Sequence, residues 1–222
     1  MKRFKEKTVI VTGADSDIGR ETALRFAREG ANCIIVGLNN EILEYIYKDL
    51  PQDHTWINTG NHLTVTSDIN DPTQTAKLIE YVLEKYKHID VMINIDTAIG
   101  IHESVVPELI KTKGNIVNVS TLTDIPADWS IDAYKTQQQS LTEATKKLAL
   151  ENVPNDVRIN AVAAGLVTKD NSANPFIEHA LLGKAATPFD VTAAVMFLAS
   201  DDAAMITGIT LPVDGGVSTF ST

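Results

Sequence analysis

Tyr134, in the stretch "AYKTQQQSL" (133–141), is the side chain in this 222-residue sequence that raises the question of proton transfer. A phenol titrates near 10, so it stays protonated at neutral pH and can donate to a carbonyl oxygen. Residues four apart share one helix face. The fourth residue after Tyr134 is Gln138, which can hydrogen-bond but carries no charge. A second feature is the turn "TGADSDIG" (12–19), in which Gly13 and Gly19 follow an apolar run and open a helical pattern. Such a turn lets the backbone approach a pyrophosphate resting on a helix N-terminus. Metal and thiol chemistry are not expected. The five histidines share no metal-ligand spacing, and the single Cys33, inside "ANCIIVG", reads as a core filler.

The elements that must position these residues alternate. Short β-branched runs predict strands at 7–13, 31–37, 62–68, 89–94, 114–120, 157–165 and 210–216. Amphipathic segments predict helices at 18–30, 40–50, 71–87, 103–112, 132–151 and 189–199, with Gly30 closing the first and Pro72 opening the third. Near-continuously apolar strands separated by helices indicate a parallel sheet covered on both faces. No repeat or Pro/Gly-rich linker divides the chain, so residues 1–222 are expected to form one doubly wound α/β domain. A formal charge of −10 argues against nucleic acid or an anionic membrane as partner. The apolar run near the N-terminus is too short for a membrane span, and a cytoplasmic protein is expected.

The order of motifs resembles the short-chain dehydrogenase/reductase family, in its 3-oxoacyl-carrier-protein reductase-like branch. The motifs are "TGADSDIG", "SDI" (67–69), a strand ending at Asn94, "IVNVST" (116–121), Tyr134, "INAVAAG" (159–165) and "FLASDDAAMITGITLPVDGG" (197–216). The resemblance spans essentially the whole chain, and the C-terminal block is its most specific part. It implies a three-layer Rossmann fold with about seven parallel strands in the order 3-2-1-4-5-6-7. It also implies NAD or NADP as cofactor, a small carbonyl compound as substrate, and a homo-oligomer, dimer or tetramer. Carried over position by position, Gly13 and Gly19, with Ile18, belong to the pyrophosphate turn. Asp68, with Ile69, meets the adenine, and Asn39 offers a neutral hydrogen bond at the end of the second strand. Asn94 lies beside the cofactor, and Gly165 with Val167 flanks the nicotinamide. Thr121 takes the place of the catalytic serine with Ser120 next to it, and Tyr134 is the proton donor and acceptor.

The departures from the family pattern concentrate on chemistry. Asp17 replaces a glycine of the turn, and a carboxylate about 5 Å from a phosphate charge costs on the order of 3 kcal/mol at an effective dielectric near 20. Asp17 can also cap or charge the helix N-terminus itself. "NIDT" (94–97) replaces small residues and adds Asp96, a further charge opposing cofactor binding. Only residues 95–113 join Asn94 to Gly114, about half the family's usual length, so the segment bearing an active-site Asn is missing. Gln138 stands where the family has a lysine, and the lost effect on the tyrosine is worth roughly 3–4 kcal/mol. The segment 166–188 would form the lid, with apolar Phe176, Ile177, Leu181 and Leu182 expected to pack on the body. Two readings stay open. One is an NAD(P)-dependent reductase with weak or lost activity; the other is a catalytically inactive scaffold, regulatory subunit or ligand sensor.

Overall fold

Seven parallel strands form one sheet in the order β3-β2-β1-β4-β5-β6-β7. A computed structural model describes residues 2–51, 61–95, 101–122, 130–168 and 175–219. The strands are β1 (Thr8–Val11), β2 (Asn32–Gly37), β3 (Leu63–Thr66), β4 (Val91–Ile95), β5 (Asn115–Leu122), β6 (Arg158–Leu166) and β7 (Thr210–Val213). Between them run α1 (Asp17–Arg28), α2 (Asn40–Asp49), α3 (Pro72–Tyr86), α4 (His102–Thr112), α5 (Ile131–Asn152), α6 (Pro175–His179) and α7 (Pro188–Ala199). The expected strands and helices are all present, with ends shifted by at most three residues. The short α6 was not anticipated.

Successive side chains of a strand point to opposite faces, and two apolar cores follow from that alternation. Val9, Val11, Cys33, Ile35, Ile93 and Val117 face α1 and α7. Ile10, Ile34, Met92 and Ile116 face α3 and α4, meeting Leu78, Val82, Val105 and Leu109. Because both faces are covered, the central strands are apolar throughout. Among the described residues no helix is long and apolar enough to cross a membrane.

Helix ends are set by local chemistry. Asp71 caps α3 by accepting from the N–H groups of Thr73 and Gln74, with Pro72 in the first turn. Thr187 and Asp190 form a reciprocal capping box on α7. Ser130 caps α5 by accepting from Ala133 N–H, so Tyr134 enters on the first turn of a well-started helix. The crossover helix α4 contains Pro107, which cannot donate to the preceding turn, and it is closed by Lys113 in the left-handed region.

Candidate functional site

At the carboxyl end of β1 the chain turns through Gly13, whose φ of +60° favours glycine. A Cβ there would lie 2.8 Å from the Ile95 carbonyl oxygen, and one at Gly19 would collide with the Gly13 carbonyl. Both glycines therefore let β1, β4 and α1 approach closely. The N-cap of α1 is Ser16, not Asp17: the Ser16 hydroxyl accepts from Gly19 N–H at 3.1 Å and donates to Gly13 O at 2.7 Å. Asp17 is the first helical residue and is exposed. Helix N-termini leave their first N–H groups without intrahelical acceptors, so those of Asp17 and Ile18 remain for an anion. Ile18 itself is buried.

The carboxylate that folds inward is Asp15. Its Oδ2 accepts from the N–H groups of Leu38 at 2.9 Å and Asn39 at 3.1 Å, at the exit of β2. Asn39 does not present its side-chain oxygen to a ribose; that oxygen accepts from Ile42 N–H and caps α2. Beside Asp15 lies a cavity of about 230 Å³ lined by Gly13, Gly37, Ser67, Asp68, Ile69 and their neighbours. Asp68 borders it while accepting from Asn70 N–H at 2.9 Å. Ser67 is 7 % exposed, and its hydroxyl has no hydrogen-bond partner. A buried hydroxyl left unsatisfied is costly, and in a cavity wall it is open to a polar partner entering the cavity.

Tyr134 is buried and its hydroxyl donates to Asp214 Oδ2 at 3.3 Å. Burial, then the negative charge of Asp214, holds its pKa well above the ordinary phenol value, so the group is a donor. Gln138 pulls weakly the other way, although its Nε2 makes no hydrogen bond. Asp214 also accepts from the N–H groups of Gly216 and Ser218, each at 2.9 Å, and so closes the turn after β7. Phe176 of α6 stands edge-on to Tyr134, ring centres 5.5 Å apart. Its ring covers Gly165, where any Cβ would collide with it. Leu166, Ile177, Ala180, Ala185 and Val217 complete this third apolar cluster. Phe176 and Ile177 thus pack on the body as expected, whereas Leu181 and Leu182 are exposed. Val167 is tied by a parallel bridge to Ala186. Residues 169–174 of the expected lid, and Asp96 and Thr97, lie outside the described residues.

Deeper in the sheet runs a buried polar chain. Thr12 donates to Asn94 Oδ1 at 3.0 Å, and Asn94 Nδ2 donates to Asn118 Oδ1 at 3.2 Å. Asn118 Oδ1 also lies 3.0 Å from His102 Nε2. An amide oxygen only accepts, so His102 carries its proton on Nε2 and leaves Nδ1 bare, without a partner. Above this chain, Ser120, Thr121, Asn118, Gln137 and Thr145 line a cavity of about 310 Å³ between β5 and α5. The register of β5 against β6 slips between Ser120 and Leu122, and such irregularities re-aim side chains at strand ends.

Burial also lowers the pKa of His102, keeping it neutral. The unfolded chain takes up the proton first, at the ordinary value of 6.5. This contribution to stability is present above that pH and is lost as pH falls toward the depressed folded value. His62, lowered chiefly by burial, acts with the same sign. Urea midpoints are therefore expected to fall between about pH 7.5 and about pH 5, and the fall should be smaller in His102→Gln. An equal fall in that variant would remove His102 from the acid limb.

The structure gathers Gly13, Ile18, Gly19, Asp68, Ile69 and Asn94 around the carboxyl ends of β1, β3 and β4. It places Ser120 and Thr121 on a cavity wall, and Tyr134 with Gly165 under Phe176. Asp15, His102 and Asp214 were not singled out from sequence. The only signal was an acidic residue within the glycine turn, a histidine at the head of the crossover helix, and the acid of "VDGG".

Comparison with known proteins follows the same outline. A family model described as short chain dehydrogenase matches residues 7–98. A second, described as enoyl-(acyl carrier protein) reductase, matches residues 93–218. Meso-2,3-butanediol dehydrogenase of Serratia marcescens is 32 % identical over 249 aligned positions, which cover 97 % of this chain and 96 % of that protein. The alignment is longer than this chain, so the relative carries segments that are absent here. The 3-oxoacyl-[acyl-carrier-protein] reductase of Thermotoga maritima is 28 % identical, with 97 % and 99 % covered. Apo glucose dehydrogenase of Caenorhabditis elegans superposes with a TM-score of 0.82 at 26 % identity, with 98 % and 100 % covered.

Proposed function

Because the chain belongs to the short-chain dehydrogenase/reductase family, we propose that it is a weak NAD(P)-dependent reductase of a small carbonyl compound, with Tyr134 as proton donor. The observation that carries this reading is the cavity beside the glycine turn, with its unsatisfied Ser67 hydroxyl and its bordering Asp68. In this reading Ser67, Asp68 and Ile69 hold the adenine. The free N–H groups of Asp17 and Ile18, with Gly13 and Gly19, hold the pyrophosphate. Gly165 and Val167 flank the ring once Phe176 has swung aside, and Asn94 supports it from β4. When bound, a reduced nicotinamide supplies the hydride.

Tyr134 then gives its proton to the developing alkoxide, while Ser120 or Thr121 donates to the same oxygen. A phenol held above its ordinary pKa is a poor base, so the reducing direction is favoured over alcohol oxidation. The test is hydride transfer from NADH and NADPH to a panel of small ketones. Tyr134→Phe is expected to lower kcat by on the order of 10²–10⁴ while leaving binding of the cofactor intact. Full turnover in that variant would remove Tyr134 from the chemistry. No turnover and no cofactor binding in the wild type would sink the whole reading.

A second reading, a family member without catalysis, is favoured by one observation. Phe176 covers Gly165 and the Tyr134 hydroxyl is engaged by Asp214, an arrangement that shields both from substrate. Binding of nucleotide without hydride transfer would select it.

A further inference from the structure

The glycine turn carries a carboxylate for which the reductase reading has no use. Asp15 turns back across the sheet edge, and one of its oxygens takes both N–H groups at the exit of β2, those of Leu38 and Asn39. It reaches them because the intervening residue is Gly37; a Cβ there would stand 2.6 Å from the Asp15 carboxyl carbon. Paired N–H groups at a strand exit are an anion site, and here the anion is built in. The adjoining cavity has a second carboxylate in its wall, Asp68, and among the described residues that line it none is Lys, Arg or His. The basic residue closest in sequence to the turn, Arg20, is paired with Asp49 and lies over the Tyr45 ring. The Ser67 hydroxyl, 7 % exposed and unpartnered, independently marks the cavity as a ligand site.

We propose that Asp15 is a specificity-determining residue: the cavity accepts an adenosine whose 2′-hydroxyl is free and rejects one bearing a 2′-phosphate. A ribose hydroxyl can donate to the carboxylate. A phosphate dianion is repelled by it and finds the donors of Leu38 and Asn39 already taken. The assignment rests on the reading that this cavity holds the adenosine half of the cofactor, and it selects NAD over NADP.

The test is calorimetry with 5′-AMP and adenosine 2′,5′-bisphosphate, neither of which extends to the nicotinamide half. Wild type should bind AMP more tightly by at least about tenfold, with the gap narrowing as salt screens the charges. Asp15→Asn should bring the two ligands within about threefold of each other, chiefly by raising the affinity for the bisphosphate. Equal affinities in wild type overturn the specificity role alone and leave the cofactor reading standing, as does an unchanged ratio in a folded Asp15→Asn. If neither ligand binds, both fall together. Should Asp15→Asn fail to fold, the wild-type ratio and its salt dependence still decide.

Discussion

Gln138→Lys should speed alcohol oxidation at neutral pH by about 10²–10³-fold, the rate equivalent of roughly 3–4 kcal/mol at the tyrosine. The substitution places an ammonium four residues from Tyr134, on the same face of α5. There it offsets the two influences that now keep the phenol protonated, burial and the Asp214 charge. The amide it replaces leaves a buried Nε2 without a hydrogen-bond partner. The pH-rate profile is the discriminating measurement. The alkaline rise in oxidation should move to lower pH in the variant, while carbonyl reduction changes far less. A profile that stays in place would show that the phenol does not limit the reaction.

Phe176→Ala should act on two quantities at once. Truncating a fully buried phenylalanine costs about 3–5 kcal/mol, and Phe176 is 0 % exposed, so the urea midpoint should drop clearly. The same change uncovers Gly165 and frees one side of Tyr134. Affinity for NADH should then rise relative to AMP, by on the order of tenfold, because on the proposed reading only the dinucleotide extends past the cavity beside the glycine turn. AMP serves as the internal control: a parallel change for both ligands would mean that Phe176 does not obstruct the nicotinamide half. A stability loss with no change in either affinity would assign the ring to packing alone.

Much of this was legible in the residues. The near-continuous apolar runs "VIV", "CIIV" and "IVNV" predicted strands buried on both faces, and the ladder places those side chains in two opposed cores. Gly30 ends α1 with a positive φ, as its position suggests. What could not be read depends on contacts across the chain. Three polar residues in succession, Asp15, Ser16 and Asp17, could each cap a helix. Which one does so is settled by Gly37, whose missing Cβ admits Asp15 to β2 and leaves the cap to Ser16. Apolar periodicity likewise says that Phe176 is buried, but not that it lies on Gly165. The polar chain through His102 joins the turn after β1, two strands and the crossover helix, and no local pattern announces it.

The bond between Tyr134 and Asp214 spans eighty positions, and it has a consequence for how the molecule is made. Synthesis runs from the N-terminus, and domains begin to order as they emerge. The glycine turn and the cavity beside it need only β1 to β4, which are complete by residue 95. The tyrosine's anchor is set only when Gly216 and Ser218 supply the amides that fix the Asp214 carboxylate. A nascent chain is therefore able to complete the cavity beside its glycine turn well before the Tyr134 hydroxyl has its acceptor in place.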